Sequence, residues 1–143
     1  MSVHQISVFL ENRAGQLAEI TRVLAENAID LRAISIAETA DYGVLRMIVD
    51  NAEKATGILL SQGYILSMTP VLVMAVPDAP GGLAPVLAVL AEGQIDIEYM
   101  YSLFTHQEGK AYMVFRITEE DKFVRLLEAH GMALATAAEL GIR

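Results

Sequence analysis

The chain contains no cysteine. Disulfides, zinc-thiolate centres, iron–sulfur clusters and thiol nucleophiles are therefore excluded together, and stability must come from packing. Positive charge is also scarce: 10 Lys and Arg stand against 18 Asp and Glu, a formal net charge of −8. Phosphate contacts need clustered basic side chains, and here they are scattered, so neither a nucleic-acid surface nor an anionic membrane is expected as a partner. No apolar run approaches the ~20 residues that span a bilayer. The opening MSVHQISVFLENRAG lacks the basic n-region and unbroken apolar core of a signal peptide. A soluble, cytoplasmic protein is the expectation. His4, His106 and His130 lie far apart and have no repeat partners, which fits solvated or hydrogen-bonded histidine better than a metal set. No cofactor is expected either, since no G-x-G-x-x-G is present and the turns are too short for a phosphate cradle.

What the chain has in quantity is apolar residues, 54% of 143 against 20% charged. A small domain has much surface for its volume, so part of this apolar content should be hidden against a second domain or subunit. The seven Met lie mostly in apolar runs and read as core filler.

The segment VLAENAIDL (Val23–Leu31) returns as VLAEGQIDI (Val89–Ile97). The same shift superposes Gly15 on Gly81, Leu17 on Leu83, Ala18 on Ala84, Gly43 on Gly109 and Met47 on Met113. A slightly larger shift pairs Gly63 with Gly131. This is a two-copy tandem repeat with a small insertion in the second copy. Each copy begins with an alternating strand (Ile6, Val8, Leu10; Leu72, Met74, Val76), followed by a Gly-containing turn and a helix with apolar residues at spacings of three and four. A hairpin follows, from Leu31 to Val49 and from Ile97 to Ile117. The next helix, Ala52–Gln62 and Glu119–His130, is closed by a Gly suited to C′. Thr118 and Asp121 suggest a capping box.

With a last short strand, each copy reads β-α-β-β-α-β. The expected fold is α+β: two tandem ferredoxin-like domains, 1–69 and 70–143, joined near Thr69-Pro70, each an antiparallel sheet with helices on one face. Leu45, Met47 and Val49, and Ala111, Met113 and Phe115, should face the helices. The outer set (Val44, Arg46, Ile48; Lys110, Tyr112, Val114, Arg116) is half apolar, consistent with partial cover by a partner. Tyr99 and Tyr101 share one strand face and suit packing.

The candidate chemistry sits at the strand-to-helix turns. In the first copy these residues are Asn12, Arg13, Ala14, Gly15, Gln16 and Leu17; in the second, Asp78, Ala79, Pro80, Gly81, Gly82 and Leu83. Pro85 fixes a helix start near Gly81, because proline is tolerated only in a first turn. Backbone N–H groups at both helix starts are then available to a carboxylate or phosphate. The plainer reading is that Gly, Asn, Asp and Pro serve the turn itself.

These residues resemble the ACT domain, the small regulatory module attached to many enzymes of amino-acid metabolism. The carrying features are Glu-Asn-Arg-Ala-Gly-Gln-Leu-Ala-Glu-Ile with Asn-Ala-Ile-Asp-Leu at the helix end, and Asp78-Ala79-Pro80-Gly81-Gly82-Leu83 in the second copy. The first copy has Ala14 where Pro is commoner. The resemblance covers both halves. It implies a non-catalytic module whose domains pair side by side, continue one sheet, and bind a free amino acid at their interface. By analogy with the serine-binding type, Asn12 and Asp30, with Asp78 and Asp96, would contact the ligand. A histidine of that type is replaced by Leu10 and Val76, which argues against serine itself. Asp30 and Asp96 equally suit the plain role of ending a helix and starting a strand.

Three functions stay open at this point. One is an amino-acid sensor reporting to an enzyme or regulator. Another is a ligand-free homodimerisation or docking module, favoured by the outward Ala18, Ala84, Ala88 and Ala91. The last is an enzyme of the same topology, such as an acylphosphatase-like hydrolase. For that role Arg13 would be the candidate anion-binding residue, but its counterpart is Ala79 and no acid–base pair or nucleophile accompanies it.

Overall fold

A computed structural model describes the chain from Val3 to Arg143, apart from residues 12, 39 and 40. The elements run β1 (Val3–Glu11), α1 (Gln16–Glu26), β2 (Leu31–Glu38), β3 (Tyr42–Val49), α2 (Ala52–Ser61), β4 (Ile65–Pro77), α3 (Ala84–Glu92), β5 (Ile97–Ser102), β6 (Lys110–Ile117) and α4 (Glu120–Ala129). The chain divides into two compact units. The first comprises His4–Pro70 with Ala137–Arg143, and the second Val71–Thr136 with Val3. A single strand, β4, leads from one repeat into the next.

In the first unit β1 pairs antiparallel with β3, and β3 with β2. In the second, β4 pairs antiparallel with β6, and β6 with β5. The second edge strands share an irregularity: register shifts between Leu31 and Ala33, and again between Ile97 and Tyr99, at equivalent places in the repeat. Leu45, Met47 and Val49 pack with Ile6 and Val8 against Ile20, Leu24 and Leu59, which puts both helices of the first unit on one face of its sheet. Met74, Phe115 and Ile117 do the same with Val86, Phe123 and Leu127. Each such side chain contributes about 1.5–3 kcal/mol on burial.

All four helices end alike. At each C′ position φ is positive: Ala28 54°, Gly63 86°, Gln94 53° and Gly131 69°. The C″ amide then reaches back to C3, as in Ile29 N–H to Leu24 O at 3.0 Å and Ile95 N–H to Leu90 O at 2.9 Å. The C′ amide bonds C2, Ala28 N–H to Ala25 O at 3.1 Å and Gln94 N–H to Ala91 O at 3.1 Å. This is a Schellman end, in which an apolar C″ residue packs back on C3. Ile29 and Leu24 are buried, as are Ile95 and Leu90. The repeated Leu-Ala-Glu-x-x-Ile therefore encodes a helix stop, and the aspartate after it opens the next strand.

Several expectations need correction. The outer set is covered in part by the chain itself: Ile48, Tyr112 and Val114 are buried, as are Gln5 and Ser7, which hydrogen-bond each other at 3.0 Å, while Val44, Arg46 and Arg116 are half-buried and Lys110 is exposed. The Thr118–Asp121 capping box does not form. The N-cap is Glu119 and its side chain makes no capping bond, which puts Asp121 at N2 rather than the N3 a box requires. Asn51 is a true cap, accepting from Lys54 N–H at 3.1 Å. Helix α3 begins at Ala84 rather than near Gly81, because the turn takes up residues 79–84 with Gly82 N–H to Ala79 O and Ala84 N–H to Gly81 O bonds. Pro85 does lie in its first turn. The last strand of the second copy shrinks to one bridge, Met74 to Leu134, supported by Ala135 N–H to Val73 O at 2.8 Å. Tyr99 and Tyr101 stack on each other, centroids 6.4 Å apart.

Candidate functional site

At the end of β1 the chain turns sharply, with Arg13 N–H donating to Glu11 O at 2.8 Å. Gly15, at φ 85°, is the N-cap of α1, and its carbonyl accepts Glu19 N–H at 3.0 Å. Helix geometry leaves the N–H groups of Gln16, Leu17 and Ala18 without intrahelical acceptors. Beside this helix start lies a cleft of about 410 Å³, walled by the end of β1, the start of α1, Tyr42, and residues 62–65. A smaller hollow of about 120 Å³ adjoins it and shares Leu10, Glu11, Arg13 and Gln16.

Gln16 is the unusual member. It is 9% exposed, and its side-chain Oε1 is buried with no hydrogen-bond partner. An unpaired buried carbonyl costs about 1–3 kcal/mol, so its persistence asks for an explanation. It borders both hollows, at the positive end of a helix.

Opposite stands Tyr64, placed as the C″ residue of α2 by the bond from its N–H to Leu59 O at 3.2 Å. Its hydroxyl donates to Glu19 Oε1 at 2.6 Å. The phenol is pushed up from 10.0 to about 12, first by burial, then by the hydrogen bond to Glu19 and by that carboxylate's charge, while Arg13 and Arg22 pull the other way. Arg13 meets Glu11 at 3.5 Å in an exposed, loose pair. The cleft therefore offers a guanidinium, two carboxylates and an unsatisfied amide along its lining. Such a set suits a small ligand carrying both charges.

The second copy is different. Its turn closes on itself: a Cβ added at Gly82 would collide with the Pro77 carbonyl oxygen. Glu11, Arg13, Gln16 and Glu19 correspond to Pro77, Ala79, Gly82 and Pro85, and Tyr64 to Met132. The groups at these five positions are lost, while Tyr42 and Gln62 correspond to Glu108 and His130.

The family model described as an ACT domain pair matches residues 1–136. The chain belongs to the ACT domain pair family. A crystal structure of a protein from Bacteroides thetaiotaomicron is 39% identical, with a TM-score of 0.90, over 99% of this chain and 96% of that one. The ligand-free regulatory subunit of aspartate kinase from Thermus thermophilus is 17% identical, TM-score 0.65, over 88% and 91%. Aspartate kinase from Synechocystis is 18% identical, TM-score 0.60, over 93% of this chain but 26% of its own length. The last two likenesses are of fold. No protein of curated function matches the chain.

With the ACT pair established, the individual site residues can be placed. Arg13 and Gln16 line both hollows and Leu17 the smaller one, while Ala14 is exposed and Gly15 caps the helix. Asn12 lies outside the described residues. Asp30 is beyond the other end of α1, about 16 Å away for an 11-residue helix, and so outside this cleft. Its carboxylate pairs with Arg32 at 2.9 Å, its N–H bonds Asp50 Oδ1 at 2.9 Å, and Arg32 also donates to Leu140 O at 3.3 Å. That is the strand-starting role. Asp78, Ala79, Pro80 and Gly81 are exposed, Gly82 is packed against backbone, Leu83 is the N-cap of α3, and Asp96 is exposed. Glu19, Tyr42, Gln62 and Tyr64 were not singled out as site residues by the sequence, because three of them come from segments far from the turn. Comparing the two copies would have flagged Glu19 and Tyr64, whose counterparts carry no hydrogen-bonding side chain. Among the described residues no three His, Asp or Glu gather as a metal set, and no helix is long and apolar enough to cross a membrane.

Proposed function

We propose that the chain is a non-catalytic regulatory module that binds a free amino acid in the cleft of its first repeat and reports occupancy to an enzyme or regulator. The observation that carries this reading is the unpartnered, buried Gln16 oxygen at the start of α1, beside Arg13 and across from the Glu19–Tyr64 pair. Arg13 and the helix N–H groups take the ligand carboxylate; Glu11, Glu19 and the Gln16 oxygen take its ammonium. Membership of a regulatory family supports the assignment, and the low density of acid–base pairs and nucleophiles supports a role in binding. Ligand binding shifts a population, and no bond is made or broken.

Thermal melting against the twenty amino acids tests this. A ligand at a hundred times its Kd adds about 2.7 kcal/mol, roughly 9 °C for a cooperatively melting chain of this length. Arg13→Ala should abolish the response while leaving the ligand-free melting point in place, because its ion pair is exposed. If no amino acid shifts Tm at millimolar concentration, the alternative of a docking module is preferred. The exposed Ala84, Ala88 and Ala91 on α3 favour that alternative.

A further inference from the structure

The first-repeat cleft carries more aromatic and apolar surface than a fold of this kind requires. Phe9 is 51% exposed, Tyr42 50% and Ile65 71%, and all three line it together with Tyr64. Ile36, 47% exposed, borders the adjoining hollow. Single exposed apolar residues are ordinary, but a cluster of them lining one cleft marks a ligand or partner surface. The second repeat shows that the fold does not. It builds the corresponding first strand, hairpin, helices and helix ends with Ala75 in place of Phe9, Glu108 in place of Tyr42 and Met132 in place of Tyr64, while its last strand, where Ala133 replaces Ile65, shrinks to one bridge.

The register explains how the rings converge. Glu11 pairs with Tyr42 and Phe9 with Val44, so Phe9, Glu11 and Tyr42 share one face at the end of the β1–β3 ladder, with Phe9 and Tyr42 as diagonal neighbours. Tyr64 arrives from the other side, its hydroxyl held by Glu19. The polar groups that suit an α-amino acid line the same cleft. A volume of about 410 Å³ is within the usual range of about 300–1,000 Å³ for a small-molecule site.

We infer that the ligand of this cleft is an aromatic amino acid: its ring rests among Phe9, Tyr42 and Tyr64, and its carboxylate meets Arg13 and the start of α1. The inference rests on the amino-acid-binding reading above and names the class of ligand.

The test is calorimetric titration of the full chain with phenylalanine, tyrosine, tryptophan, leucine and methionine, and with 3-phenylpropionate, which keeps ring and carboxylate but lacks the ammonium. The expected result is binding of at least one aromatic amino acid tenfold or more tighter than leucine or methionine. 3-Phenylpropionate should bind more weakly than phenylalanine, because the carboxylates lose their partner. Phe9→Ala and Tyr42→Ala should each weaken aromatic binding about three- to tenfold. Both side chains are half exposed, so the ligand-free melting point should fall by only a few degrees, and that measurement checks folding. Leucine or methionine binding as tightly as the aromatic amino acids, with sensitivity to Arg13→Ala, would overturn the aromatic assignment and leave the amino-acid reading standing. Absence of any amino-acid binding would overturn both. Concentration-dependent self-association abolished by Phe9→Ala, with ligand affinity unaltered, would assign the rings to contact between copies and overturn the inference.

Discussion

Replacing Gln16 with Met separates a binding group from a structural one. Met keeps the length and helix propensity of Gln but removes the buried oxygen that has no partner. Leaving such a carbonyl unsatisfied costs about 1–3 kcal/mol, and an apolar group of similar shape does not incur that cost. Folded chains of this size lose about 2.1 cal/mol/K of entropy per residue, so each kcal/mol moves the midpoint by roughly 3 °C. Gln16→Met should therefore melt about 3 °C or more above the parent in the absence of ligand. The same variant should bind its amino acid roughly tenfold to a hundredfold more weakly, having lost a hydrogen bond to a charged group worth about 1.5–3 kcal/mol. Melting curves and titration calorimetry on the two proteins read both effects. A variant that melts lower and binds unchanged would show Gln16 to be an ordinary part of the fold, and the reasoning would fail.

Three further outcomes follow from the geometry. Gly82→Ala should destabilise the chain by about 1–3 kcal/mol, since its Cβ would collide with the Pro77 carbonyl oxygen and backbone would have to move; an unchanged melting point would contradict the closed turn. Ala28→Gly and Gln94→Gly, at C′ positions with φ near 54°, should each stabilise by roughly 0.5–1 kcal/mol, less what glycine's freedom in the unfolded chain takes back; urea midpoints that fall would contradict the helix-end reading. Tyr64→Phe should alter the alkaline limb of stability. Between pH 10 and about 12 the unfolded phenol ionises while the folded one keeps its proton, so the folded state binds more protons and stability declines with rising pH. The contribution is intact below pH 10. The variant should lack this extra decline, and parallel curves would argue against the Tyr64–Glu19 bond.

Much of the architecture was legible because it rests on local chemistry. The alternation Ile6-Val8-Leu10, the three-and-four spacing of α1, and Gly63 and Gly131 after their helices each follow from one segment's periodicity or backbone freedom, and the repeat supplied a second reading of each. What was not legible depended on segments meeting. Burial of Tyr112 and Val114 could not be read from a strand whose other face was equally apolar. The start of α3 slipped because a turn with its own hydrogen bonds absorbed Gly81 and Gly82. At the site, Arg13 and Gln16 were found because they belong to the turn. Tyr64 and Tyr42 were not, since they reach the cleft through a helix end and a hairpin. Asp30 lies beyond the far end of α1 from this cleft, where Arg32 and Asp50 are its partners.

The central claim is a single amino-acid site per chain, in the first repeat. Its most direct measurement is the stoichiometry of amino-acid binding by equilibrium titration, for the parent, Arg13→Ala, and the second-repeat variants Asp78→Ala and Asp96→Ala. The account predicts one ligand per chain, lost in Arg13→Ala and retained in the other two. Two ligands per chain, or binding that survives Arg13→Ala and disappears with Asp78→Ala or Asp96→Ala, would contradict it.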